Sequence, residues 1–383
     1  MFFPWKWYLK DLPSVPKNGL KVFSCFACGG GSSMGYKLAG FTVLGNCELD
    51  PKIAKVYCHN LHPKHTFIMD VRDFLKLPDS EIPDELFNLD VLDGSPPCST
   101  FSTAGSREAA WGKEKMFAEG QKKQRLDDLF FTFIAIANRL RPKVVVAENV
   151  KGMLLGNAKG YVREIKIGFE QAGYDVQLFL LNAATMGVPQ ARERVFFIAR
   201  RKDLHLPQIK MEFHEKPIVF GKVRSEHGIQ KDTLYQRLLK KRKPTDRQIS
   251  DIYMREHGKN IGFTNMIVHD NEVSNTISTA DIYRYCDGFQ FSHQDTVNVS
   301  TFPQDYDFMG KTPTFFCGMS VPPVMMAHIA HEVATQLFGW NRDQAVDSAI
   351  MAGSSKDEPA PAAGNEAETQ QDAAGCGNGR NDG

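Results

Sequence analysis

The chain has 383 residues, with 46 Lys and Arg against 45 Asp and Glu and an apolar fraction of 42%. That length accommodates one large domain plus a smaller one, and the ordinary composition describes a soluble globular protein. No apolar run approaches the roughly 20 residues of a membrane span, so no membrane contact is expected.

Residues 1–18 hold aromatics and lysines but no continuous apolar stretch of the kind a secretion signal needs. Eight cysteines are dispersed along the chain, which fits reduced thiols and a cytoplasmic setting. The near-zero net charge conceals a division. Residues 201–270 carry 15 Lys and Arg against 9 Asp and Glu, whereas residues 346–383 carry 2 against 7. The acidic end is poor in large apolar residues and is expected to be a disordered tail. The body that remains is mildly basic, which is compatible with a polyanionic partner.

Strand-like and helix-like runs alternate to about residue 200. Strands are expected at 20–26, 42–47, 66–69, around 91, and at 143–147, 175–181 and 195–199. Helices are expected between them at 33–39, 51–60, 126–140 and 161–172. Such alternation implies βαβ units and an α/β fold with a mostly parallel, doubly wound sheet. After residue 200, prolines and basic clusters replace the regular pattern, and a smaller lobe is expected. A final helix is expected over 321–338.

Three successive strand ends carry polar or glycine-rich signals. The first runs into Phe26-Ala27-Cys28-Gly29-Gly30-Gly31, where glycines allow close backbone approach. The second ends at Glu48, about 20 residues further on, where Rossmann folds place a ribose acceptor. The third ends at Asp70, a candidate acceptor for an adenine amino group. Together they point to an adenosine-containing cofactor. Cys25 and Cys28 form a C-x-x-C, but Cys25 lies in a strand and Cys47 and Cys58 lack zinc-knuckle spacing. They are expected to be core thiols, with no metal.

The fourth strand runs into Asp93-Gly94-Ser95-Pro96-Pro97-Cys98, presenting one thiol at a strand end. Glu148 follows a run of valines, in an apolar setting that would favour its protonated form. Arg192 and Arg194 precede the strand at 195–199 and form a candidate anion clamp. One covalent chemistry uses all of these groups. A thiolate adds to C6 of cytosine while Glu148 stabilises protonated N3, and C5 becomes nucleophilic enough to take an electrophilic methyl group. A base within a duplex would have to be flipped out first.

With these motifs in this order, the sequence resembles the DNA cytosine-5 methyltransferase family over about residues 21–337, with a leaning toward phage and prophage members. The resemblance implies a Rossmann-like class I methyltransferase fold and S-adenosyl-L-methionine as cofactor. It makes Cys98 the nucleophile, Glu148 the cytosine-binding acid, and Arg192 and Arg194 supports of the flipped base. Phe26, Ala27, Gly29, Gly30 and Gly31 become the cofactor loop, with Glu48 and Asp70 as ribose and adenine contacts. Pro97, Ser320 and Val321 are further cofactor contacts, the last two from Gly318-Met319-Ser320-Val321-Pro322-Pro323. Phe302-Pro303-Gln304-Asp305-Tyr306 is similar to the preceding family motif.

The implied organisation is a catalytic domain over 1–200, target recognition over 201–273, a return to the catalytic domain over 274–342, and the tail. Arg107, Trp111, Lys113 and Lys122 lie in the segment that closes over the base in the family. Lys240, Lys241 and Arg242 are candidate phosphate contacts in the recognition segment. Double-stranded DNA is the expected partner, the enzyme is expected to act as a monomer, and a restriction-modification setting fits. Three positions depart from the family pattern. Cys28 replaces a glycine and implies a slightly different turn, Ser99 replaces a glutamine, and Met319 replaces an asparagine. A tRNA cytosine-5 methyltransferase would share every catalytic motif, and a catalytically impaired DNA-binding homologue would share the fold. A dehydrogenase leaves Pro-Pro-Cys unexplained, and an amino-methyltransferase would carry an aromatic in place of that cysteine.

Overall fold

Valines and phenylalanines alternate between the two faces of the central strands, and that alternation divides the core in two. The computed structural model describes residues 2–97, 127–155, 158–225, 234–260, 262, 265–279, 285–286 and 289–341. In chain order its first half comprises β1 (Lys21–Cys25), α1 (Gly31–Leu38), β2 (Thr42–Glu48), α2 (Pro51–Leu61), β3 (His65–Ile68), α3 (Val71–Phe74) and β4 (Val91–Gly94). There follow α4 (Asp127–Leu140), β5 (Val144–Val150), α5 (Ala158–Gln171), β6 (Tyr174–Asn182), the short β7 (Gln190–Ala191) and β8 (Glu193–Arg201). Seven of these strands form one sheet in the order β3-β2-β1-β4-β5-β8-β6. The pairings from β3 to β5 are parallel, and β8 runs antiparallel to both β5 and β6. The sheet is therefore mostly parallel, with one reversed strand inserted near an edge.

Val22, Val91, Val144, Val146, Phe196 and Ile198 face one layer, where they meet Met34 and Tyr36 of α1 and Val56 and Tyr57 of α2. Phe23, Leu92, Val145, Ala147 and Phe197 face the other, against Phe130 and Phe133 of α4 and Ile165 and Phe169 of α5. A sheet covered on both faces needs apolar residues on both, which is why its strands read as near-continuous apolar runs. Each fully buried side chain of this size contributes about 1.5–3 kcal/mol.

Beyond β8, α6 (Leu234–Leu239) and α7 (Ile249–His257) build a small core of their own from Leu238, Leu239, Ile249, Ile252 and Ile267. The short strand β9 (Ser274–Asn275) pairs with β7, and β10 (Tyr285–Cys286) pairs with β11 (Phe289–Gln290). Helices α8 (His293–Val299), α9 (Pro313–Met319) and α10 (Pro323–Glu332) bring the chain back to the sheet. The expected helix over 321–338 starts instead at Pro323, because Pro322 caps it, and ends in a π-turn over Val333–Leu337. Gly35 lets α1 lie directly on this helix, since a Cβ there would come within 2.4 Å of Met326 Cβ. Residues Met1–Arg342 form one compact unit; the tail from Asp343 lies outside the described residues.

Candidate active site

The carboxyl ends of β1, β2 and β3 lie side by side, which places the glycine loop, Glu48 and Asp70 along one edge. The loop turns tightly. Phe26 and Cys28 both have left-handed backbone, with φ of 56° and 45°, and Gly30 follows at 79° as the cap of α1. Cys28 thus adopts a conformation that favours glycine, and the strain, about 1–2 kcal/mol, is carried by the cysteine. Its amide N–H donates to Glu48 Oε2 at 2.8 Å, while the Asp50 N–H donates to Oε1 at 3.1 Å. Burial pushes the Glu48 carboxyl above its usual range. Each of its oxygens keeps acceptor capacity, which suits the two hydroxyls of a ribose. Asp70 is already engaged: its carboxylate caps α3 and accepts from Arg72 N, Nε and NH2 at 2.9, 2.9 and 2.6 Å.

The glycines of the loop have a role that the sequence does not disclose. A Cβ on Gly31 would lie 2.2 Å from the Val321 carbonyl oxygen, and one on Gly29 would lie 2.8 Å from the Phe316 ring. They give room to the returning chain, and so bring Ser320 and Val321 against the loop. Tyr306 fastens the contact by donating its hydroxyl hydrogen to the Gly29 carbonyl at 2.8 Å. Burial raises the Tyr306 phenol well above its normal range, keeping it a neutral donor. Tyr306 closes the Phe-Pro-Gln-Asp-Tyr motif, and its bond to Gly29 shows what a residue there does. The thiols of Cys25, Cys28 and Cys47 are buried, and burial holds that of Cys28 up to about 12.

Two strands further along, β5 continues past the valines to Val150, because β8 pairs with it to the end, Glu148 opposite Phe196 and Val150 opposite Arg194. Glu148 therefore lies within a strand and faces a cation rather than an apolar edge. Arg194 Nε is 2.9 Å from Glu148 Oε1, and both side chains are mostly buried. Next to it, Asn149 Nδ2 donates to the Pro96 carbonyl at 3.1 Å and ties the glutamate strand to the Pro-Pro segment.

Arg192 goes elsewhere. Only 1% exposed, it donates NH1 to the Ile277 carbonyl at 3.1 Å and NH2 to those of Gly318 and Ser320 at 2.8 and 2.9 Å. The two arginines of the motif thus part: one faces the acid, and the other clamps the returning chain. Pro97 is half-buried at the end of the described segment. Cys98, Ser99, Arg107, Trp111, Lys113 and Lys122 lie outside the described residues.

Asp93 was not singled out by its sequence context. Its carboxyl is buried at the end of β4, and burial, opposed by the Ser24 hydroxyl and reinforced by Glu148, pushes it up to about 7. In the lobe beyond β8, Lys241 pairs with Glu256 at 2.7 Å and Arg242 donates to the Leu239 carbonyl at 3.3 Å. Lys240 is exposed. Among the described residues, no helix is long and apolar enough to cross a membrane.

The family model for C-5 cytosine-specific DNA methylase matches residues 20–335. The type II methyltransferase M.NgoPII of Neisseria gonorrhoeae is 38% identical over 197 residues, which are 51% of each chain. M.FnuDI of Fusobacterium nucleatum is 36% identical over 194 residues, again 51% of each. The chain thus spans about half the length of these two relatives. A third, M.NgoFVII of N. gonorrhoeae, aligns over 82% of this chain and 87% of its own length at 27% identity.

Among solved structures, a DNA modification methyltransferase encoded within an E. coli prophage superposes with a TM-score of 0.60 at 19% identity, over 83% of this chain and 99% of that one. A DNMT2 mutant of Spodoptera frugiperda gives 0.55 at 16% identity, over 81% and 98%. These two share the Rossmann-like fold. The family model covers the glycine loop, Glu48, Glu148, both arginines and the returning segment in a single match, and the chain belongs to the C-5 cytosine-specific DNA methylase family.

Proposed function

We propose that the protein methylates C5 of cytosine in a short duplex DNA site, with Cys98 as nucleophile and S-adenosylmethionine as cofactor. The observation that carries this reading is the linked trio at the carboxyl edge. Glu148 is held by Arg194, and its neighbour Asn149 bonds the carbonyl of Pro96, two residues before Cys98. A cytosine flipped out of the duplex would meet Glu148 at N3 and O2-side contacts from Arg194, while the Cys98 thiolate adds to C6. Charge developing on the ring is neutralised through N3, and C5 gains the electron density it lacks in the free base. After methylation, a base removes the C5 proton and the thiolate is expelled.

S-Adenosylmethionine, when bound, supplies the electrophilic methyl group. The residues present suit it: Glu48 has spare acceptors for a ribose, and the loop and Ser320-Val321 wall the same edge. Arg192 and Tyr306 serve as positioning residues that hold the returning segment on that loop. Asp70 would take an adenine amino group only by sharing its carboxylate with Arg72. The lobe beyond β8 is assigned to target recognition, with Lys240, Lys241 and Arg242 as phosphate contacts.

Tritiated methyl transfer to unmethylated duplex DNA and, in parallel, to tRNA tests the proposal. The expected product is 5-methyldeoxycytidine from DNA. Label confined to tRNA, or none in either, would overturn it. Cys98→Ser is expected to abolish transfer while the melting temperature stays unchanged; retained turnover would remove the covalent mechanism.

A further inference from the structure

Asp93 stands between the two halves of the site. Its register partner on β1 is Ser24 and on β5 is Val146, two residues before Glu148. Side chains alternate along a strand, so Asp93, Ser24 and Glu148 project from the same face of the sheet, Asp93 and Glu148 as diagonal neighbours. That face is the one covered by α1, the helix that follows the glycine loop. The Ser24 and Ser32 hydroxyls and the Tyr36 phenol are turned toward the carboxyl. Tyr36 Oη is buried without a well-formed hydrogen bond. Behind Ser24 a chain of hydroxyls continues, Ser33 Oγ donating to Ser24 Oγ at 3.2 Å and Tyr57 Oη to Ser33 Oγ at 2.8 Å.

Among the described residues, this carboxyl faces no basic side chain. Its ionisable neighbours are Glu148 on β5, Tyr36 on α1, Tyr57 on α2 and Cys25 on its own neighbour strand, none of them cationic. A buried acid with only neutral or acidic neighbours keeps its proton to a higher pH than an exposed one, and an arriving cation lowers that pH. The cofactor assigned to this edge carries a sulfonium, whereas its demethylated product is a neutral thioether.

We infer that Asp93 is a proton-exchanging positioning residue, which ionises as the sulfonium cofactor binds and thereby favours that cofactor over its thioether product. This rests on the S-adenosylmethionine reading above. The proton leaves to solvent, no covalent bond to carbon forms or breaks, and the hydroxyl chain turns to donate toward the new carboxylate. The carboxyl is poised for this, because burial already holds it at about 7.

The test is calorimetric titration of the full chain with S-adenosylmethionine and, separately, S-adenosylhomocysteine. It is run at pH 6, 7 and 8 in two buffers of different ionisation enthalpy. Near pH 7, S-adenosylmethionine should release a substantial fraction of a proton and S-adenosylhomocysteine much less. The preference for the former should grow about five- to tenfold from pH 6 to pH 8, the range a one-unit shift allows. Asp93→Asn should flatten that growth while its melting transition stays cooperative. Equal proton release with the two ligands would overturn the inference, as would an Asp93→Asn profile like that of the wild type. If that variant does not fold, the two-ligand comparison on the wild type decides alone. Binding of neither ligand would instead overturn the cofactor reading, and this inference with it.

Discussion

Two arginines two residues apart meet opposite fates, and their substitutions should separate cleanly. Arg192 has its NH1 and NH2 donors on three carbonyls of the returning chain, and burial drives its guanidinium well below its usual pKa range. Arg192→Ala orphans those carbonyls, each a loss of about 1–3 kcal/mol. We expect unfolding at clearly lower denaturant and, in whatever fraction stays folded, weaker S-adenosylmethionine affinity with little change in kcat at saturating cofactor. Arg194 instead faces Glu148 at 2.9 Å. Arg194→Ala leaves a buried carboxylate uncompensated and removes a donor from the place where ring charge develops. Turnover should fall about a hundredfold or more, as for other donors to developing charge. Arg194→Lys should recover little, since an ammonium cannot reproduce the planar fork. Equal turnover for Arg194→Lys and wild type would show that the guanidinium geometry is irrelevant.

At the scale of elements, the glycines divide by what surrounds them. Gly31 sits against the Val321 carbonyl oxygen, where an added Cβ would lie at 2.2 Å. Gly31→Ala must push the returning segment off the loop, so stability and cofactor affinity should drop together. Gly160, in the first turns of α5, would place its Cβ in open space with ordinary helical backbone. Gly160→Ala should therefore raise stability by about 0.5–1 kcal/mol, because glycine loses more backbone freedom on entering a helix. Matched chemical denaturation curves check both. A stabilised Gly31→Ala would mean that the loop and the returning segment are not in contact. The reversed strand β8 matters at this scale too: by pairing with β5 as far as Val150, it carries Arg194 to Glu148 and keeps the acid inside the sheet.

Across the whole molecule, the N-terminal segment meets α10 at His328, which is buried against Phe3 and Phe213 at ring distances of 5.0 and 5.7 Å. Burial lowers its pKa from 6.5 to about 4, so the 3.1 Å contact with Glu215 is made by a neutral imidazole rather than an ion pair. Its folded-state value lies below the unfolded one, so its full contribution to stability is present above about pH 6.5. That contribution is lost progressively as pH falls toward 4, by about 3 kcal/mol in all. His328→Phe should remove this part of the acid sensitivity, visible as a flatter stability profile between pH 7 and pH 4.5. An unchanged profile would exclude His328 as its source. Deletion of residues 346–383 should leave methyl transfer intact, and a large loss would give that segment a role.

The alternation of apolar runs and the strand-end polar residues made the sheet, the glycine loop and the position of Glu48 readable in one dimension, because period and strand ends are local properties. Glu148 falls inside β5 instead, held there by its pairing with β8. The chain as a sequence also carries the order of motifs by which the family is known. What it could not carry was which polar groups are already engaged. Asp70 reads as a cofactor contact yet is met by Arg72, and Arg192 reads as an anion clamp yet is spent on carbonyls 85 to 128 residues away. Asp93 and Tyr306 sit in motifs that mark their segments but say nothing of their partners. Their roles arise from the pairing of β4 between β1 and β5 and from the return of α9 onto the loop, contacts between residues far apart in the chain. Hydrogen-bond partners and burial are set by such packing, so tertiary structure alone decided which polar side chains hold the site together and which remain for its ligands.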